Sequence, residues 1–438
     1  MRSRRRFRTS GTRRSEQGIV IVMVAVFLLF VVGAIAALAI DLVTIYTARS
    51  EAQLAADGAA LAAARVMANS GMTTDPDDTD LASDATTNLA TTIATAVATG
   101  NKVGGSNLTS GEIAVTFPNQ GTSEFRTNPQ VRVQITRTTL PTFFARIWGR
   151  TQAEVGATAT AEAYNSSGTS SLGVAPRPVA PSCVKPFLLP NMDPTKPSAP
   201  TDPTTRIFDP STGAIVATPT LLGWSNVAIA PKFRPADTAP PLNLRVWRFY
   251  AGAQSSFPAP TQSLPTCSLT LGTDYEKSIA GCVDTPIACG ATVNLDLSFS
   301  ASRNQETADA INCLSHAVAG NGDTVDISPP NVAFQFQVGD DNPIAADPAI
   351  KGKDVLVSDS LITVPIFDHS SWNPTAPPSS VMIIGFAQLF VNPNGNASPT
   401  TGLIRTTIVN LAGCGTNATG QPITGNGVSP IAVRLIAP

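Results

Sequence analysis

Apolar and polar positions change rhythm along this chain. Gly18 to Ile40, GIVIVMVAVFLLFVVGAIAALAI, holds 23 residues and no charge. As a helix rising about 1.5 Å per residue it would span about 35 Å, enough to cross a hydrocarbon core of roughly 30 Å. The next stretch, DLVTIYTARSEAQLAADGAALAAA (residues 41–64), keeps helix formers but loses bulk, since nine of its 24 residues are alanine. No proline occurs before Pro76, so one helix is expected to run from the apolar span into the alanine-rich segment. Asp41 is expected at the outer membrane edge, because a carboxylate is costly in hydrocarbon. Arg49, Gln53 and Asp57 recur every four residues as a polar stripe. Ala48, Ala52, Ala56, Ala59 and Ala63 form a second stripe, small enough for a sheet or another helix to approach closely. The alternative is a solvated stalk with no partner.

Beyond an acidic, turn-forming break (SGMTTDPDDTD), Leu81 to Thr99 reads as a short helix. GEIAVTF (111–117), QVRVQITRTTL (130–140) and QAEVGATATAEAY (152–164) alternate like half-exposed strands, and PTFFARIWG (141–149) starts with a proline suited to a first helical turn. A long helix packed on a small antiparallel sheet is the economical assembly. From residue 181 onward the pattern is mainly strands parted by Gly, Pro and Asn turns. The one clear helical stretch there is Asn304 to Asn321, with Ala308, Ile311, Leu314 and Val318 along one side. The expected fold class is therefore α+β. Its expected divisions are a basic head (1–17), an anchor (18–40), a helix-and-sheet domain (41–165), a Ser/Pro-rich linker (166–180) and a mainly β domain (181–438).

Charge gives this layout a direction. Residues 1–16 carry seven arginines and one glutamate, leaving 22 basic and 30 acidic residues in the rest. A basic head before an apolar span predicts the amino terminus inside and the bulk of the chain outside a single crossing bounded by Gly18 and Ile40. Nucleic acid is not an expected partner, because Lys and Arg are not spread over a folded face with aromatics between them. The alternative to a lasting anchor is a signal peptide, for which Ala37-Leu38-Ala39 offers a small-x-small cleavage pattern. The apolar run is longer than the roughly 7–15 residues usual for a signal core.

Eighteen of the 36 prolines fall between Pro176 and Pro265, which marks the joint and the opening of the outer domain as extended and irregular. All six cysteines, Cys183, Cys267, Cys282, Cys289, Cys313 and Cys414, lie in that domain. An even number confined to the exported part fits an oxidising compartment and as many as three disulfides. Six cysteines allow fifteen connectivities, all left open.

The uncharged span after SEQG, then ALAIDLVTIYTARSEAQLAADGAALAAA, then VRVQITRTTLPTFFARIWGRTQAEVGATATAEA, resembles the amino-terminal region of the TadE/TadG family of Flp (tight adherence) pilus-assembly proteins, TadG-like forms most closely. Asp41, Leu54, Ala55, Ala56, Asp57, Ala59, Ala60 and Leu61 carry the most specific part of that resemblance. CVKPFLLPN, GFAQLFVN and IAVRLIAP in the outer domain look TadG-like as well. The resemblance implies a pilin-like helix on its sheet, tethered in the bacterial inner membrane with the bulk of the chain periplasmic or extracellular. It implies a scaffold or binding role beside other Tad proteins or pseudopilins. One departure stands out: prepilins of this kind carry Glu five residues after the processing glycine, and here Met23 follows Gly18 at that distance. That departure puts prepilin-type processing in doubt.

Candidate chemistry is sparse. Asp296, Ser298 and Ser300 form D-x-S-x-S, a pattern that supplies metal-coordinating oxygens in von Willebrand A domains, although an alternating exposed strand explains it more simply. His316 and His369 are the two histidines, and no G-x-S-x-G elbow accompanies either. P-loop, dinucleotide and H-E-x-x-H patterns are not present, so neither catalysis nor a cofactor is expected. Ala52, Ala56 and Ala59 are the residues expected to carry helix packing. The rival function is an adhesin released by signal-peptide cleavage, whose outer domain holds an unknown surface ligand.

Overall fold

The computed structural model describes residues 13–74, 84–165, 179–194, 196, 205–216, 221–222, 227–231, 246–252, 270–281, 285–297, 302–316, 322–326, 335–340, 342, 354–355, 358–370, 372–373, 376–391, 397–414, 423–425 and 430–436. Residues 1–12 of the basic head, residues 166–178 of the expected linker, and Cys267, Cys282, Ser298 and Ser300 lie outside them. The fold is α+β, with a long amino-terminal apolar helix and a mostly β remainder. Two compact units share several elements: one comprises Met1–Ala56, Val97–Ala114 and Gln134–Thr158, and the other Asp57–Ala96, Val115–Val133 and Ala159–Pro438.

Helix α1 runs unbroken from Arg13 to Asn69, so the apolar span and the alanine-rich stretch are one element. Leu, Ala, Met and Gln carry it, and Ser70 and Gly71 stop it: the Ser70 hydroxyl donates to the Met67 carbonyl, and Gly71 takes a φ of 79°. Helix α2, Asp84–Thr99, buries Ala90, Ala94 and Ala98 at four-residue spacing. Strands β1 (Ile113–Thr116), β2 (Gln130–Pro141) and β3 (Gln152–Tyr164) follow. Along β2, Val131, Val133, Ile135 and Arg137 are buried in alternation, as a one-sided strand requires.

In the first unit a tight hairpin, Lys102–Val103 against Ser106–Asn107, turns through Gly104 and Gly105, both at positive φ. A Cβ on Gly104 would also lie 2.2 Å from the tip of the Leu140 side chain, which would have to move aside. The buried Arg137 guanidinium ties this hairpin down, donating to the carbonyls of Val103 (3.0 Å) and Ser106 (2.9 Å) and pairing with Glu112 at 3.5 Å.

The second unit is dominated by a seven-stranded sheet. Its strands are β4 (Phe187–Pro190), β5 (Val227–Pro231), β6 (Val246–Ala251), β7 (Thr292–Asn294), β8 (Leu361–Phe367), β9 (Ser380–Val391) and β10 (Ile404–Gly413). Their order is β7-β9-β8-β4-β6-β5-β10, and β9 pairs with β10 as well, so six of them close into a ring. Closure leaves none of these six with a free edge along the ring. One core holds Phe187, Val227, Ile229, Phe249, Ile362 and Leu389; a second holds Leu188, Tyr250, Phe367, Trp372 and Phe386. Because adjacent residues such as Phe187 and Leu188 enter different cores, these strands read as continuous apolar runs. Gly385 faces Gly413 across the β9–β10 ladder, and a Cβ on either would strike Phe208 within 2.7 Å.

Two helices pack on the first core. Helix α4, Ser302–Leu314, buries the expected Ala308, Ile311 and Leu314. Helix α3, Asp274–Ala280, was not expected from the sequence; its signal is the reciprocal cap between Thr273 and Glu276. Strand β11, Ala432–Ile436, pairs antiparallel with β3, from Ala432 opposite Tyr164 to Ile436 opposite Thr160. It sits at the edge of a sheet ordered β11-β3-β2-β1.

Candidate functional site

Helix α1 changes surroundings along its length. From Ile19 to Ile40 its large apolar side chains are exposed; Leu29 and Phe30, for instance, are 73% and 74% exposed. Among the described residues it is the one helix long and apolar enough to cross a membrane. From Ala48 the pattern inverts. Ala52, Ala55, Ala56, Ala59, Ala60 and Ala63 have no exposed surface, whereas Leu54 is 70% exposed. The small-residue stripe is thus used within the chain itself. Two side chains in the first unit secure it: Glu51 accepts from the Gly104 amide at 2.7 Å, and Gln53 donates to the Thr158 carbonyl at 3.2 Å.

Asp41 sits where the two environments meet, and it is buried, with 3% of its surface exposed. Its carboxylate accepts from three consecutive backbone amides, Phe143 (2.9 Å), Phe144 (3.0 Å) and Ala145 (2.6 Å). These amides open the single 3₁₀ turn Ala145–Trp148 within the expected PTFFARIWG helix, which Gly149 closes at a φ of 79°. Burial works against the charge, but the amide donors outweigh it and hold the Asp41 carboxyl below the usual carboxylate range. The sequence expectation for Asp41 rested on the cost of a bare carboxylate in hydrocarbon; here that carboxylate is sheathed by three backbone donors. Sequence periodicity could not reveal this clamp, because its partners lie more than 100 residues away.

In the second unit, a buried polar group fastens the end of α1. Asn410 on β10 donates to the Ala68 carbonyl at 2.9 Å and to Gln388 at 2.6 Å, and the Thr74 hydroxyl donates to the Leu411 carbonyl at 3.0 Å. Glu162 on β3, itself buried, accepts from Arg434 at 2.6 Å and from Asn128 at 2.8 Å. Neither set carried a sequence signal.

Of the remaining candidates, Cys289 and Cys414 form a disulfide that closes 125 residues, and Cys183 and Cys313 are also disulfide-bonded. Asp296 faces Arg303 at 3.6 Å, and its proposed companions Ser298 and Ser300 lie outside the described residues. Among the described residues, no cluster of three His, Cys, Asp or Glu side chains has metal-binding geometry. His316 bonds Asp359 at 2.9 Å through Nε2, whereas His369 is buried elsewhere. Lys185, in the CVKPFLLPN phrase, is buried with its ammonium on the Gly281 carbonyl at 2.6 Å. Burial pushes its pKa down to about 8, against the opposing pull of Asp359.

The class the fold defines is a chain with one long amino-terminal apolar helix, whose alanine-rich part is buried, ahead of a mostly β remainder. Residues 18–66 match the Tad family model, described as Flp pilus-assembly TadE/G-like, which is the family the sequence resembles. No curated protein and no solved structure matches the chain.

Proposed function

We propose that the chain is a membrane-anchored, TadG-like component of Flp pilus assembly, acting as scaffold and binding surface rather than as a catalyst. Its amino terminus is cytoplasmic, the anchor lies in the bacterial inner membrane, and the β-rich head faces outward. Its partners are other Tad proteins or pseudopilins. The observation that carries this reading is the coincidence of the family match, residues 18–66, with a single helix half exposed and apolar and half buried in alanine.

Intact mass of the mature protein in the alkali-resistant membrane pellet tests the anchor. A full-length species is expected; a soluble species beginning near Ile40 would replace this reading with the released adhesin. Crosslinking in cells tests the role, with Leu54 as the natural position for a photo-reactive side chain. Capture of Tad-system proteins is expected there.

A further inference from the structure

The stretch just beyond Ile40 is built like a membrane-surface collar. Leu42, Val43 and Tyr46 remain 50%, 63% and 62% exposed, so the apolar surface of α1 continues past Asp41 by more than a turn. The clamped loop adds Phe143, 61% exposed, at the same level of the helix, because three amides starting at Phe143 bind Asp41 directly. The exposed threonines of this zone spend their hydroxyls on the helix backbone. The hydroxyls of Thr44 and Thr47 donate to the helix carbonyls of Asp41 and Val43, at 2.8 and 2.9 Å. The one carboxylate between residues 18 and 50 is Asp41, which is buried, and residues 141–150 contain no acid. What the loop does expose is cationic: Arg146 and Arg150.

We infer that residues 142–150 rest on the membrane, with Phe143 among the upper acyl chains and Arg146 and Arg150 at lipid phosphates. The argument rests on the proposed anchor and on continuity with it. A water-facing loop would have no reason to pair an exposed phenylalanine with an exposed Val43 and Tyr46 in a zone without exposed acids. Aromatic and cationic side chains together are the composition of a bilayer interface. Lipid phosphate is the anion that two guanidiniums would meet there. On this reading Asp41 is the pin that holds the collar to the anchor, setting the depth at which the helix rides.

The test uses the full chain reconstituted into phosphatidylethanolamine–phosphatidylglycerol vesicles, with a genetically encoded fluorescent amino acid at position 143, 29 or 124. Lipids brominated high in the acyl chain should quench position 143 severalfold more than the exposed position 124, and aqueous iodide should show the reverse order. Reversing both charges, Arg146→Glu with Arg150→Glu, should move position 143 toward the values of position 124. If position 143 behaves like 124 while position 29 is quenched by lipid, the collar is wrong and the anchor stands. If position 29 also behaves like 124, both fall. Shielding of position 143 from both quenchers would assign the loop to a second copy of the chain and overturn the lipid assignment.

Discussion

The two halves of α1 share one backbone and face opposite demands. Between Ile19 and Ile40 the helix carries large side chains, all of them exposed, with Ala37 alone buried. Between Ala48 and Ala68 its buried positions are mostly alanine, joined by Val66 and Met67 near the end. On the proposed reading the first half spends its bulk on contact with lipid, where shape matters little. The second half gives up bulk so that backbone can approach backbone, where shape decides everything. Residue volume therefore tracks the precision of the contact, not the polarity of the surroundings.

That contrast can be broken from either side. Leu29→Arg places a charge midway along the exposed half and should cost about 2.5–3.5 kcal/mol of membrane insertion; the protein should shift out of the alkali-resistant pellet. Its thermal unfolding in detergent should be unchanged. Ala56→Leu does the converse. Forcing a larger side chain into a fully buried site should lower stability by about 1–3 kcal/mol, read as an earlier urea midpoint, with membrane retention intact. If Ala56→Leu were silent, the buried half would be far looser than its zero exposure implies.

At the joint, the Asp41 clamp predicts a sign. A carboxyl held below its unfolded value contributes stability that is complete above the ordinary carboxylate pKa and is lost as pH falls through the folded one. Proteolysis of the 142–150 loop should therefore stay slow at neutral pH and rise only in acid below about pH 4. Asp41→Asn, which cannot accept from all three amides as strongly, should show raised cleavage at neutral pH as well. The smallest effect belongs to Leu54→Gln. This exposed site should change stability by no more than about 0.5 kcal/mol, so any loss of pilus-assembly partners in a pull-down would report on binding alone.

Local pattern made much of this molecule legible. The strand read at residues 152–164 begins and ends as expected, and the helix through residues 41–64 follows from alanine, leucine and the missing proline. The face of α4 carrying Ala308, Ile311 and Leu314 is visible in spacing alone. Ring closure through β9 and β10 was not legible, since strand pairing is decided by partners far along the chain and periodicity carries no address. The Cys289–Cys414 bond occurs in three of the fifteen connectivities that six cysteines allow, and the sequence did not choose among them. The site was half legible. The alanine positions stood out, but the role of Asp41 did not, because a carboxylate looks the same in sequence whether it faces water or sheaths a turn.

Strand β11 sets a schedule for the chain's birth. Arg434 follows its carboxylate partner Glu162 by 272 residues, so at about 5–20 residues per second the ribosome needs roughly 15–50 s to supply it. For that interval the nascent sheet has an open edge at residues 160–164 and an uncompensated anion beside it. A growing chain in this state is an invitation to wrong pairing, and a holding factor would have its work concentrated in that window.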